Sequence, residues 1–183
     1  IGRSRLVAMH TYAGLTPVLK KSVLDELGSD GSWGLLPTHR LGSTLRRTTD
    51  GRLMVRSMHS YEKEAHREKI IGGLQHRLKK RFPQLPSLDF EHYWGGAVGF
   101  TFNGGAVWGE FEPGLYVSAG CNGGGTVKGT LLGKLLVEAA HGMKVPNVPK
   151  LFGRASWMPP EPYRKVGYKI AASVESHLGR HEL

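Results

Sequence analysis

Three consecutive glycines, Gly123 to Gly125, stand between an apolar run and a helical one. The run before them, LYVSAG over residues 115–120, reads as a buried strand. The run after them, from Thr126, reads as a helix with Val127, Leu131, Leu132, Leu135, Leu136 and Ala139 recurring at helical spacing. Glycine lets a backbone approach a ligand closely, because no Cβ intervenes. The first turn of a helix leaves N–H groups without partners and carries partial positive charge. A strand, a glycine turn and a helix start therefore make a site for a negative or electron-rich group. Gly120, Asn122, Gly123, Gly124, Gly125 and Thr126 are its candidate binding residues, Asn122 and Thr126 through side-chain hydrogen bonds or a cap. The spacing matches neither G-x-G-x-x-G nor the phosphate loop with its Lys-Ser/Thr pair, and a tight strand-to-helix turn is the plain alternative.

Other residues offer less. Arg46 on a strand could hold an anionic substrate group, or face solvent as most arginines do. His39 and Arg40 follow Pro37-Thr38 in a loop. Trp94 could sit at a ligand's edge, although a core or sheet-surface tryptophan is commoner. Cys121, the single cysteine, rules out an internal disulfide and reads as a small hydrophobic filler. The histidines show no metal-ligand spacing, and no metal is expected.

The net charge of +10 is unevenly spread: residues 1–81 carry +9, residues 82–150 carry −1 and residues 151–183 carry +2. The basic stretch 63–81 could track a phosphate backbone, but no base-reading helix or aromatic platform accompanies it, so nucleic acid is not an expected partner. No run of 18 apolar residues occurs, so no membrane span is expected.

The elements that must position these groups are legible in outline. Residues 3–19 read as a strand ended by Thr16-Pro17, and 18–27 as a short helix with Val18, Leu19, Val23, Leu24 and Leu27 inward, stopped by Gly28. Residues 44–57 read as a hairpin whose Asp50-Gly51 pair suggests a type I′ turn. Residues 61–82 read as a helix with Ile70, Ile71, Leu74 and Leu78 on one stripe. Residues 89–119 read as several strands, with a second hairpin turn at Asn103-Gly104 and another turn at Glu112-Pro113-Gly114. A proline-rich tail leads to a last helix over 163–178, with Val166, Ile170, Val174 and Leu178 on one side.

This ordered set resembles the C-terminal part of the D-amino-acid-oxidase-like, FAD-dependent oxidoreductases. The segments that carry the likeness are Trp94-Gly95-Gly96, Thr101-Phe102-Asn103-Gly104, Pro113-Gly114-Leu115-Tyr116-Val117 and Gly120-Cys121-Asn122-Gly123-Gly124-Gly125. The run Arg46 to Leu53 is similar to the family's R-x-T-x-D-G-R-L hairpin in the substrate domain. The tail Trp157-Met158-Pro159-Pro160-Glu161-Pro162 looks like that of the branch with gamma-glutamylputrescine oxidase. The resemblance implies that Gly123, Gly124, Gly125 and Thr126 meet the flavin ring. It implies non-covalent FAD, since no cysteine lies near Trp94, and a small amine as substrate. Val98 stands where many relatives place a carboxylate-binding arginine, and Asn103 where they place aspartate.

The fold expected is α+β: a large mixed or antiparallel sheet of a substrate domain, plus the C-terminal strand-helix return of an FAD-binding domain. Residues 1–90 would form the substrate half, 91–142 the return, and 143–183 a strap and helix. The resemblance further implies an upstream segment carrying the glycine fingerprint for the ADP half of FAD, an oxidoreductase acting on a C–N bond, and a fragment inactive by itself; the single free thiol fits a reducing, cytoplasmic compartment. The alternative is a non-catalytic interaction module of the same fold that no longer holds FAD.

Overall fold

A computed structural model describes residues 4–28 and 31–182. The chain divides into two compact units, one of Ile1–Met9 and Ala97–Lys165, the other of His10–Gly96 and Val166–Leu183. The first is called here the loop unit and the second the sheet unit. Together they make the α+β fold that the sequence implies.

The sheet unit is built on five strands in the order β2-β3-β4-β1-β5. The strands are β1 (Val7–Leu15), β2 (Trp33–Leu35), β3 (Thr44–Arg47), β4 (Leu53–Tyr61) and β5 (His92–Phe100). β3 pairs antiparallel with both β2 and β4. Alternation along β4 buries Leu53, Val55 and Ser57 on one face. Helix α2 (Arg67–Arg81) covers that face with Ile70, Leu74 and Leu78, and Tyr12, Leu27, Leu45 and Leu85 complete the core. The helix comes close because Gly73 faces Met58, whose Sδ lies 2.9 Å from where a Cβ would stand.

Helix α2 starts six residues later than the 61–82 pattern suggests. β4 runs on to Tyr61, and Tyr12 Oη accepts the Ala65 N–H at 2.7 Å, holding the approach to the helix in a turn. The short helix α1 (Lys21–Glu26) ends at Gly28, which has φ +103°. Arg47 closes it by donating to the carbonyls of Leu24 and Gly28 at 3.2 and 2.6 Å. Leu27 is buried there, whereas Val18 is 59% exposed.

The β3–β4 hairpin turns at Asp50-Gly51, but not as a type I′ turn. Only Gly51 has positive φ, +82°, and its N–H meets Thr48 O at 3.1 Å. Thr48 N–H then meets Arg52 O at 2.9 Å, the pattern of a type I turn closed by a glycine bulge. The longer loop frees Arg52 to reach Asp50 and Glu91 at 3.0 and 2.6 Å.

The loop unit holds β6 (Val107–Glu112) and β7 (Leu115–Ala119), an antiparallel pair turned at Pro113-Gly114. Asn103-Gly104 is not a hairpin turn: β5 and β6, on either side of it, belong to different sheets. A π-helical turn (Gly125–Gly129) opens α3 (Thr130–Ala140), followed by α4 (Val148–Phe152). Ala106, Leu132, Leu135 and Val148 form the core here, and Trp108 donates its indole N–H to Leu132 O at 2.9 Å. Val127 and Leu131, expected inward, are exposed. The π winding takes residues 125–129 off the 100° step that the α pattern assumes.

Helix α5 spans Tyr163–Leu178, as the tail pattern implies. Its stripe of Val166, Ile170, Val174 and Leu178 exists, and each of the four is more than half exposed. Among the described residues no helix is long and apolar enough to cross a membrane.

Candidate functional site

The glycine segment of the loop unit is held by side chains and leaves main-chain donors open. Asn122, in the left-handed region at φ 51°, is the central pin. Its Oδ1 accepts from Thr101 N–H at 2.8 Å, and its Nδ2 donates to Gly120 O at 2.7 Å and Gly104 O at 3.1 Å. Thr101 Oγ1 donates to Gly105 O at 2.7 Å. Lys128 braces the same two carbonyls, with Nζ 3.0 Å from Gly104 O and 3.3 Å from Gly120 O. The polar atoms of Asn122 are therefore spent on the chain itself. It positions the loop and is not a ligand-facing donor, and no side-chain cap is made at the helix start.

Asn103 does a second piece of fastening. Its Oδ1 accepts from Gly105 N–H and Ser156 N–H, and its Nδ2 donates to Arg154 O at 2.8 Å. Gly105 backs directly onto this strap: a Cβ there would meet the Arg154 carbonyl at 2.5 Å. A carboxylate at position 103 could accept both amides but could not donate to Arg154 O.

The main chain behaves differently. Asn122 N–H goes to Gly99 O and Gly124 N–H to Cys121 O. Among the described residues, no protein acceptor meets the N–H groups of Gly123, Gly125 or Thr126. Gly123 and Thr126 are exposed, and Gly125 and Cys121 are half-buried. Gly120 and Gly123 require glycine for their φ of +80° and +87°. Gly124 and Gly125 do not: neither has positive φ, and a Cβ on either would make only ordinary contacts, at 3.6 Å or more. The missing side chains at 124 and 125 thus leave room on the outer side of the loop rather than relieving crowding within it. Three open amides around a helix start, two of them on glycines that carry no Cβ, suit the carbonyl-rich edge of a flavin ring or any comparable acceptor. The π winding, which the sequence did not signal beyond Gly129 inside the run, is a common mark of functional sites.

In the sheet unit, Arg46 lies on β3 between buried Leu45 and Arg47 and points to the opposite, exposed face. Gly95 faces the core, since a Cβ there would strike the Tyr12 ring at 2.9 Å, so Trp94 points to the same open face as Arg46. Strands β4 and β1 separate them, a distance of roughly 14 Å at the usual strand spacing. The structure does not bring Arg46 and Trp94 together. Between them stands Arg56, on β4. Its guanidinium reaches Thr11 Oγ1 at 3.3 Å and Thr44 Oγ1 at 3.4 Å, two long contacts that leave donors to spare. Its one sequence signal is its place in the Arg52-Met54-Arg56 alternation. His39 is tied into the loop before β3 by its own N–H, which donates to Glu182 Oε2 at 2.9 Å.

Comparison with known proteins then decides the family. The model of the FAD dependent oxidoreductase family, DAO, matches residues 4–139. The chain belongs to this family. It is 24% identical over 154 residues to a probable oxidoreductase, OrdL, of Haemophilus influenzae, covering 79% of this chain and 34% of that protein. It is 30% identical over 97 residues to the OrdL of Rhizobium meliloti, covering 53% of this chain and 22% of that one. The chain thus spans about a third or less of the curated relatives it matches. Among solved structures, glycine oxidase from Geobacillus kaustophilus shares the fold with a TM-score of 0.63 at 14% identity, over 85% of this chain and 40% of the other. Glycine oxidase from Bacillus cereus follows with a TM-score of 0.53 at 16% identity, over 79% of this chain and 38% of that one.

Proposed function

We propose that this chain forms part of an FAD-dependent oxidoreductase that oxidises the C–N bond of an amine or amino-acid-like substrate. The observation that carries the reading is the set of free amides at Gly123, Gly125 and Thr126, at the helix start of a chain whose family uses FAD. FAD, when bound, would supply a hydride acceptor for the carbon bearing the amine, leaving an imine for water to hydrolyse.

The chain's own residues contribute positioning and electrostatics. The three amides would take an electron-rich ring edge, and the positive end of the π turn and α3 would favour negative charge there by about 0.3–1 kcal/mol, or ~2 when partly buried. Asn122 and Lys128 hold the loop so that these donors are set before any ligand arrives. With no cysteine near Trp94, attachment of FAD would be non-covalent. On the open sheet face, Arg56 is better placed than Arg46 to hold an anionic substrate group, because it stands nearer the middle of the sheet. With Val98 in place of an arginine, a free α-amino acid fits less well than an amine whose acid group lies further from the nitrogen. The proline-rich tail fits the same choice, being similar to that of the gamma-glutamylputrescine oxidase branch.

The test is spectroscopic. Protein expressed from its complete reading frame should carry a yellow chromophore that an amine substrate bleaches without oxygen. A colourless protein that cannot be reconstituted with FAD would overturn the reading.

A further inference from the structure

The sheet unit has a recess apart from the residues proposed as flavin or substrate contacts. It encloses about 180 Å³ and is lined by Leu36, Pro37, Leu45 and Val55 on its apolar side and by Thr38, Ser43, Arg77, Arg81 and Glu182 on its polar side. A recess of this size admits several waters and so has room for a small organic molecule.

Among the described residues, no acidic side chain pairs with Arg77 or Arg81. Arg77 lies half-buried on the face of α2, with its Nη1 cut off from solvent and without a hydrogen-bond partner. Its Nε points at Met58 Sδ at 3.3 Å, a weak acceptor. Burial pushes the Arg77 pKa down, the direction expected of a desolvated cation that nothing compensates. Among the described lining residues Glu182 is the one acid, and it is already engaged: Thr38 Oγ1 donates to its Oε1 and His39 N–H to its Oε2. Ser43 Oγ is likewise occupied, by Ser57 Oγ at 2.9 Å. Two guanidiniums and one carboxylate leave a single net positive charge, which matches a monoanion.

We infer that this recess binds a small monocarboxylate, its carboxylate on Arg77 and Arg81 and a short branched apolar stem against Leu36, Pro37, Leu45 and Val55. Planar guanidinium forks match a carboxylate geometrically, and the apolar wall excludes a fully hydrated ion. The site lies wholly within the sheet unit, so it stands or falls independently of the flavin reading.

Thermal unfolding of the protein expressed from its complete reading frame tests this, with isobutyrate as probe and isobutyramide, its neutral isostere, as control. Isobutyrate should raise Tm in a concentration-dependent way, less so at high salt, and isobutyramide should not. Arg77→Met should abolish that rise while raising Tm of the ligand-free protein, because an unpaired desolvated cation is removed. Arg81→Ala, at an exposed position, should keep the fold and weaken isobutyrate by about tenfold, the worth of one charge-assisted contact. Equal protection by the amide, protection surviving in both variants, or no protection of the unaltered protein by isobutyrate would each overturn the inference.

Discussion

The two units leave opposite kinds of donor unspent. In the loop unit, the side chains of Thr101, Asn103, Asn122 and Lys128 are consumed in holding main chain, and the main-chain amides of Gly123, Gly125 and Thr126 remain open. In the sheet unit β3 is paired on both sides, and the open donors described above are side chains: Arg56 on one face of the sheet, Arg77 and Arg81 lining the recess. Backbone donors are fixed by the fold and indifferent to the residue that carries them, provided no Cβ intrudes. They suit a ligand shared by a whole family. Side-chain donors can be gained or lost by one substitution, so they suit groups that differ between relatives. Arg56, on the open sheet face, is a donor of that kind.

Breaking the pin should give the largest effect. Asn122→Ala removes the bonds to Thr101, Gly104 and Gly120 and also forces alanine into a left-handed conformation. A loss of about 3 kcal/mol is expected, and Asn122→Gly, which tolerates the φ, should lose about 2. Urea unfolding measures both. Equal losses would mean that the hydrogen bonds alone matter. Gly125→Ala separates stability from binding. Its Cβ would meet only Cys121 at ordinary distances, so stability should change by less than about 1 kcal/mol. Affinity for FAD should nonetheless fall by about tenfold, the worth of ~1.4 kcal/mol, if a ring edge lies against the loop. Unchanged flavin binding in a titration would place the ligand elsewhere.

The elements were largely legible from periodicity, because α2, β4 and α5 each bury or align residues at one simple spacing. What escaped was set by contacts remote in sequence. Asp50-Gly51 and Asn103-Gly104 look alike as dipeptides, yet the first turns a hairpin and the second fastens a loop to residues 154–156. The partner of Asn103 lies fifty residues on, beyond any local signal. Within the glycine segment the division of labour is not legible in the sequence: Asn122 Nδ2 donates to the Gly104 and Gly120 carbonyls, while the amides of Gly123, Gly125 and Thr126 meet no acceptor among the described residues. Arg56 was hidden because a charged residue on an alternating strand is usually just its solvent face.

Asn103 also carries a sharper test of the fastening. The family resemblance makes aspartate its natural substitute and suggests a mild change. The structure gives the amide a donor role toward Arg154 O that aspartate cannot fill. Asn103→Asp should therefore cost about 1 kcal/mol at neutral pH, since a main-chain carbonyl loses its partner. The loss should shrink in acid, where a protonated carboxyl can donate again. Urea midpoints at two pH values decide it.

The smallest effect comes from His59, on the sheet unit's side of the comparison. The imidazole packs edge-on to Tyr168 with ring centroids 6.0 Å apart, beside Arg77. Burial, and then the positive charge of Arg77, hold its pKa below the usual 6.5. The unfolded chain takes up this proton near 6.5 and the folded chain resists it, so the unfolded state binds more protons just below that pH. The contribution of His59 is accordingly intact above the unfolded pKa and is lost as the pH falls through 6.5 toward the folded value. His59→Gln should flatten the decline in Tm between about pH 7 and pH 5, with a difference in slope amounting to no more than the ~2–4 °C that 1 kcal/mol makes in a chain of this size. The same experiment with Arg77→Met separates the two causes. If burial dominates, most of the decline survives the loss of Arg77. If the cation dominates, the decline disappears with it, and the open guanidinium of the recess is then also what keeps its neighbouring histidine neutral.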